Sequence, residues 1–177
     1  MNHGTPDATK SRLLTAARTC LLDKGYADTT VRDLIGESGT NLASINYHFG
    51  SKEALLNQAL YDLNGEWGEL LFGAVAAPDL SAAERWQRVI DSIDDNRAMW
   101  FVNFEAISMA QHNDTIRAGL AERGEAARNV LAHAFGGDDE GSGSRHYAML
   151  IGVAAQWLLD PESAPSATEI TSAAPED

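Results

Sequence analysis

Apolar residues recur three and four positions apart along this chain, and no convincing strand-like alternation interrupts them. The first such stripe predicts a helix over residues 9–24, because its apolar members share one helical face. Gly25 is expected to end that helix, since glycine readily takes the left-handed conformation beyond a last turn. The stripe consists of Leu13, Leu14, Ala17, Cys20 and Leu21. Cys20 is therefore predicted to be an inert core residue, because buried thiols are usually unreactive.

Two short helices are predicted next, joined by a tight turn. Thr30 and Asp33 have the spacing of a capping box, which indicates a second helix over residues 30–37. Gly39 then allows a sharp turn with a positive φ, and Asn41 is a good N-cap for a third helix.

The third helix is predicted to bury Leu42 and Ile45, with Phe49 closing it. Two short helices around a glycine-containing turn, supported by a third helix, form the helix-turn-helix unit. An α-helix of this kind fits the major groove of DNA, where each base pair presents a distinct pattern of donors and acceptors. The polar groups expected to face outward are Thr40, Asn41, Ser44, Asn46, Tyr47 and His48.

The remaining stripes predict five further helices and two irregular segments. The helices are expected at residues 51–72, from Ser81 onward, and at 97–111, 114–135 and 144–159. The helix at 97–111 is apolar nearly all round, which is typical of a buried helix. The stretch 136–143 is predicted to be a flexible loop whose spacing does not match a calcium-binding EF-hand loop.

The C-terminal stretch is rich in Pro, Ser and Ala. Residues 161–177 are therefore predicted to be mostly disordered. Ser166 and Glu169 could open one short last turn in it, because they too have capping-box spacing.

Charge divides the chain into two parts. Residues 1–60 carry six Lys and Arg against six Asp and Glu, whereas residues 61–177 carry seven Arg against twenty acids. The net charge of −13 is unusual for a DNA-binding protein, which normally presents a basic face. A case for DNA binding therefore has to rest on local geometry.

Composition and motifs exclude several classes of protein. The single cysteine excludes an internal disulfide or a cysteine-based zinc cluster. A glycine-rich phosphate loop, a GxSxG elbow and an HExxH pair are all missing from the sequence, so neither an enzyme nor a cofactor is expected. The chain shows no signal segment and no apolar stretch of membrane-spanning length, and a cytoplasmic location without membrane contact is expected.

The helix-turn-helix region resembles one family in register. The segment SGTNLASINYHFGSKEALL (38–56) is similar to the recognition segment of the TetR family of transcriptional regulators, and the resemblance extends over residues 9–60. It implies contacts to operator DNA from Thr30, Arg32, Thr40, Asn41, Ser44, Tyr47, His48 and Lys52. A phosphate contact from Lys52 is also expected on physical grounds, because a lysine at a helix N-terminus attracts a phosphate.

Two positions depart from the family pattern. Asn46 stands where an aromatic residue is common, and Leu42 stands where a polar residue is common. Both departures leave the base preference open, since polar side chains supply much of the discrimination between bases.

The resemblance also implies an all-α architecture. An N-terminal three-helix DNA-binding domain at residues 1–50 precedes a helical ligand-binding and dimerisation domain at 51–160 and the disordered tail at 161–177. A pocket for a small apolar or cationic effector is expected among Trp67, Trp86, Trp100, Phe101, Phe104, Glu105 and Met109.

Glu105 has two possible roles among these residues. A carboxylate among Phe101, Phe104 and Met109 is costly unless it is paired or partly solvated. It either forms a salt bridge to Arg97 or Arg117, or it accepts a cationic or hydrogen-bonding ligand.

The helix at 144–159 has more apolar surface than the core of a single chain is expected to bury, and its small residues permit close approach of another helix. The resemblance implies a homodimer face there, formed by Met149, Gly152, Val153, Gln156 and Trp157. Such a dimer would place two recognition helices one DNA turn apart on an inverted-repeat operator, and an effector would release it as a repressor. The alternative, which the acidic charge keeps open, is a ligand-binding dimer without sequence-specific DNA binding.

Overall fold

The computed structural model describes residues 6–136 and 141–172, and it is all-α over those ranges, as predicted. None of these helices combines the length and apolarity that crossing a bilayer requires. The helices are α1 (Pro6–Asp28), α2 (Val31–Ser38), α3 (Leu42–Phe49), α4 (Lys52–Val75), α5 (Ala82–Asp95), α6 (Arg97–Met109), α7 (Asp114–Ala134), α8 (Ser142–Leu159) and α9 (Ala167–Thr171).

The chain divides into two compact units whose limits differ from the predicted domain boundary at residue 50. One unit comprises residues 1–65 and 101–119, and the other comprises residues 66–100 and 120–177. The start of α4 belongs to the first unit, where the Tyr26 hydroxyl of α1 donates to Asn57 Oδ1 of α4 at 2.7 Å. Leu55 and Leu56 are fully buried, like Leu13 of α1 and Ile45 of α3.

Local capping chemistry sets the helix boundaries as predicted. Thr30 caps α2 and Ser81 caps α5, and each forms a reciprocal capping box with the acid three residues later. Gly39 takes the left-handed conformation after α2, with φ of 62°. Gly25 has φ of 79° and ψ of 175°, so it interrupts helical geometry at the predicted point although α1 is continued to Asp28.

Cys20 is buried at 5% exposure, as predicted. Burial is the main reason that the pKa of its thiol is raised, with a smaller contribution from nearby Asp33 and Glu37. The thiolate that would react is therefore disfavoured.

The apolar helix α6 is only partly buried, which corrects the prediction. Met99, Trp100 and Val102 are buried, but Phe101 is 49% exposed and Ile107 is 50% exposed. An apolar pattern all round a helix shows that any face could be buried, but the neighbouring helices decide which faces are.

The predicted disordered tail is ordered up to Ser172, and this also corrects the sequence prediction. Ser166 caps α9 through a capping box with Glu169, and Ala167 is buried where α9 packs against α5. The Trp157 indole Nε1 donates to the Pro165 carbonyl at 3.0 Å. Composition could not reveal that α9 packs against α5, because α5 lies far from it in the chain. Residues 173–177 lie outside the described residues.

Helix α8 begins two residues earlier than predicted, where it approaches α7 very closely. A Cβ atom built on Gly143 would lie 2.2 Å from the Arg128 carbonyl oxygen and 3.1 Å from the Ala132 Cβ. Only glycine fits this contact without moving a helix. Residues 137–140 of the predicted loop lie outside the described residues.

Candidate nucleic-acid interface

The helix-turn-helix is formed by α2 and α3 with a left-handed glycine between them. Its inner side is apolar: Leu34 of α2 and Ile45 of α3 are both fully buried. Asn41 caps α3, and its Oδ1 accepts from the Ser44 backbone N–H at 2.9 Å. The outer side of α3 is therefore left for solvent or for a partner.

A small ionic cluster fixes the start of α2. Lys24 Nζ lies 2.6 Å from Asp33 Oδ1, and the other Asp33 oxygen accepts from the Thr30 backbone N–H and hydroxyl. The Lys24 ammonium, and then the Thr30 donors, hold the pKa of the Asp33 carboxyl well below its usual range. This cluster positions α2 against the end of α1.

The exposed face of α3 consists of Leu42, Ala43, Asn46 and Tyr47. Leu42 is 49% exposed, so the prediction that it points inward is wrong. Ile45 alone of the predicted pair is in the core, because the helices packed against α3, and not the spacing of its apolar residues, decide which side is covered. The sequence held one signal that Leu42 is exposed, because it is an apolar residue at a position where the family usually has a polar one.

The predicted DNA contacts around the start of α3, Thr40, Asn41 and Ser44, already make hydrogen bonds within the protein. Thr40 Oγ1 lies 2.7 Å from Ser38 Oγ, and Ser38 donates its own hydrogen to the Leu34 carbonyl, so Thr40 is the donor of the pair. Ser44 Oγ donates to Asn41 Oδ1 at 3.2 Å. The hydroxyls of Thr40 and Ser44 can therefore accept from DNA without rearranging, but they cannot donate.

Tyr47 and His48 form an aromatic pair at the end of α3. Tyr47 is 79% exposed, and its ring packs edge-on against His48 with centroids 4.9 Å apart. His48 is half-buried and tilted against Phe49 at 6.4 Å. Tyr47 is thus the more accessible of the two predicted contacts.

Lys52 stands at the first residue of α4. Its Nζ donates to the Thr29 carbonyl at 3.1 Å and lies 3.8 Å from Glu53 Oε1. An ammonium has three donors, so two directions remain for a phosphate. Lys52 therefore ties α4 to the α1–α2 junction and still offers a cation at a helix N-terminus.

Glu105 has a role that neither predicted alternative described. Its two carboxylate oxygens accept from the backbone N–H groups of Tyr26 and Ala27, each at 2.8 Å. The predicted partners lie elsewhere: Arg97 donates to the carbonyls of Trp157 and Leu158, and Arg117 donates to the Ala110 carbonyl. Glu105 thus anchors the segment after Gly25, and no local sequence signal could reveal partners 79 and 78 residues away.

The predicted pocket residues do not form one set within either unit. Trp67, Trp86 and Trp100 belong to the second unit, whereas Phe101, Phe104, Glu105 and Met109 belong to the first. Trp86 and Trp100 are at most 2% exposed and pack as core side chains.

A groove of about 250 Å³ lies between α4 and α5 in the second unit, and Trp67 is the predicted pocket residue that lines it. Its walls are formed by Trp67, Leu70, Leu71, Ala74, Arg88, Asp91, Ser92, Asp95 and Asn96. Trp67 meets Trp100 edge-on at 4.6 Å. Within the described chain, the buried Trp67 Nε1 finds no hydrogen-bond acceptor.

The predicted dimer residues separate into two sets on α8. Met149, Gly152 and Gln156 are exposed on one face, and a Cβ on Gly152 would meet nothing within 4 Å. Val153 is buried at 5% exposure and Trp157 is half-buried, so both contribute mainly to the core of the second unit.

The arrangement of α2, the Gly39 turn and the exposed α3 defines a helix-turn-helix domain whose recognition helix is exposed. Residues 13–59 match the model of a family described as bacterial regulatory proteins, tetR family. Over these residues the chain is similar to the tetR family, which confirms the resemblance predicted from its sequence.

Two relatives share sequence with the chain. The HTH-type transcriptional repressor KstR2 of Mycolicibacterium smegmatis is 30% identical over 106 residues, which cover 58% of this chain and 44% of the repressor. A protein of Lactococcus lactis described as an uncharacterized HTH-type transcriptional regulator is 26% identical over 90 residues, which cover 51% of this chain and 46% of that protein. The matched part thus spans less than half the length of either relative.

Solved structures share the fold over most of the chain. The multidrug binding protein EbrR, complexed with proflavin, has a TM-score of 0.72 at 23% identity and covers 88% of this chain and 92% of its own. A member of the TetR family from Streptomyces coelicolor has a TM-score of 0.71 at 22% identity, with coverage of 89% and 91%. At these identities the likeness shows the fold alone.

Proposed function

We propose that this protein is a transcriptional repressor that binds an inverted-repeat operator as a homodimer and is released by a small effector. The single observation that carries the proposal is the exposed face of α3, from Leu42 to Tyr47, held on a capped helix-turn-helix. The family match over residues 13–59 and the relative named as a repressor support the same function.

The acidic charge of the chain does not oppose this proposal. The charge of −13 resides in residues 61–177, whereas residues 1–60 carry equal numbers of acids and bases. Exposed Arg32 on α2, Lys52 on α4 and the Tyr47 hydroxyl supply donors for phosphates beside the recognition helix. Affinity then depends on local cations, and it should fall steeply with salt.

The dimer is proposed to form through the exposed face of α8. Met149, Gly152 and Gln156 share that face, and the open space at Gly152 leaves room for the backbone of a second copy. Two recognition helices about 34–36 Å apart would then enter successive major grooves.

Selection of bound duplexes from a random pool tests DNA binding and dimer symmetry together. The parent protein is expected to enrich an inverted repeat with half-sites one helical turn apart. The Tyr47→Ala variant is expected to bind that site at least about tenfold more weakly, since it loses an exposed contact at each half-site. The exposed Tyr61, on α4, provides a matched control, and Tyr61→Ala should retain affinity.

Failure to enrich any sequence, or an affinity for random duplex that does not change with salt, would favour the alternative of a ligand-binding dimer without operator recognition. Enrichment of a single, unsymmetrical site would retain DNA binding but contradict the dimer.

The effector site is proposed to be the groove between α4 and α5. Trp67, Leu71 and Ala74 give it an apolar wall, and Asp91 and Asp95 give it acidic groups. The Arg88 guanidinium, the basic group of the lining, donates to the Ala74 carbonyl at 3.2 Å. A flat apolar cation suits this lining, because aromatic and acidic groups both attract cations.

Proflavin is a suitable probe, since the structurally similar EbrR is described in complex with it. We expect proflavin fluorescence to report binding to the protein alone, and the Trp67→Ala and Asp91→Asn variants to bind at least about threefold more weakly. Asp94→Asn is the matched control, because Asp94 is exposed on the same helix and lies outside the groove. Equal binding by the groove variants and the control would place the effector elsewhere without affecting the DNA-binding proposal.

A further inference from the structure

The first residue of the recognition helix is an exposed leucine. Leu42 is 49% exposed at the N-terminal end of α3, directly after the Asn41 cap. A single exposed leucine is ordinary on a protein surface. Leu42 is distinguished by its place on the recognition helix and by the hydrogen bonds that its neighbours already make.

Leu42 belongs to the face that meets DNA under the proposed function. Residues four apart are neighbours on a helix, so Leu42 stands beside Asn46, and Ala43 stands beside Tyr47. All four are exposed, whereas Ile45 on the opposite side is fully buried. A helix that inserts this face into the major groove brings the Leu42 side chain to the base edges.

The hydroxyl groups beside Leu42 have no hydrogen-bond donors left with which to read bases. Thr40 and Ser44 have already used their hydroxyl hydrogens within the protein, and Asn41 Oδ1 accepts from two groups of Ser44. What remains for base edges on this side of α3 is the Asn41 amide hydrogens, the acceptor oxygens of Thr40 and Ser44, the Asn46 side chain one turn further on and the apolar surface of Leu42. An apolar side chain gains nothing from a phosphate or from a bare base acceptor.

The major groove offers one prominent apolar feature, which is the C5-methyl group of thymine. We propose that Leu42 of each subunit packs against a thymine methyl in each operator half-site and so selects T at that position. The proposal rests on the proposed function, and it turns the departure of Leu42 from the family pattern into a determinant of operator sequence.

Deoxyuridine scanning of the selected operator tests the proposal, because uracil differs from thymine in the missing methyl alone. At one T position in each half-site, uracil is expected to weaken binding of the parent about fourfold, as loss of one buried methyl predicts. For the Leu42→Ala protein, uracil and thymine at that position should bind equally, while Leu42→Met should retain the preference.

The exposed Leu22 on α1 provides a matched control. Leu22 is 36% exposed, so Leu22→Ala removes a comparable apolar group, and this variant should keep the full preference for thymine. Thermal unfolding of Leu42→Ala should match that of Leu22→Ala, which shows that any change in recognition is not a change in folding.

The outcomes separate this proposal from the function on which it rests. If selection yields no operator, both fail. If an inverted repeat is selected but no T position responds to uracil, or if the response persists in Leu42→Ala, the thymine contact is wrong and the repressor proposal stands.

Discussion

The Glu105→Ala variant is expected to lose about 2–4 kcal/mol of unfolding free energy, because the Tyr26 and Ala27 N–H groups lose a charged acceptor. The Glu105→Gln variant should lose less, since one of its side-chain oxygens can still accept. Urea unfolding measures both values. The same variants should bind the operator more weakly at a temperature where they are folded, because the anchored segment leads directly into α2.

Glu122→Ala on α7 is the matched control, since Glu122 is exposed and its loss should change the unfolding free energy by less than about 0.5 kcal/mol. Equal unfolding midpoints for Glu105→Ala and Glu122→Ala would show that water replaces the carboxylate at no cost. A loss of stability without any loss of operator affinity would make Glu105 a purely structural residue.

The Gly143→Ala variant is expected to lose about 3 kcal/mol or more. Its new methyl group would lie 2.2 Å from the Arg128 carbonyl oxygen, and that atom belongs to the backbone of α7 and cannot turn aside. Gly73→Ala on α4 is the matched control, because a Cβ there meets nothing within 4 Å. The control should gain about 0.5–1 kcal/mol from the lower backbone entropy of the unfolded chain.

The comparison of these two glycines by urea unfolding separates packing from helix propensity. Propensity alone predicts that both substitutions stabilise the protein. If Gly143→Ala unfolds at the same urea concentration as the parent, α7 and α8 can separate slightly at negligible cost, and the close contact does not limit the sequence at this position.

Much of the candidate DNA surface could be predicted from sequence, and the features that the prediction missed have a common cause. The turn at Gly39, the caps at Thr30 and Asn41 and the exposure of Tyr47 follow from chemistry within a few residues. The use of the Thr40 hydroxyl and the anchoring of Lys52 on the Thr29 carbonyl could not be predicted, because both depend on the meeting of separate elements.

The amino-acid sequence by itself determined the order of the helices, their caps and the helix-turn-helix, since these depend on propensities and hydrogen bonds within three or four residues. Only the tertiary structure decided that Leu42 faces outward, that Glu105 binds backbone N–H groups and that residues 160–172 are ordered against the rest of their unit. Burial and hydrogen-bond partners at these positions come from segments far apart in the chain. A local sequence pattern does not show which distant segment will pack against a residue.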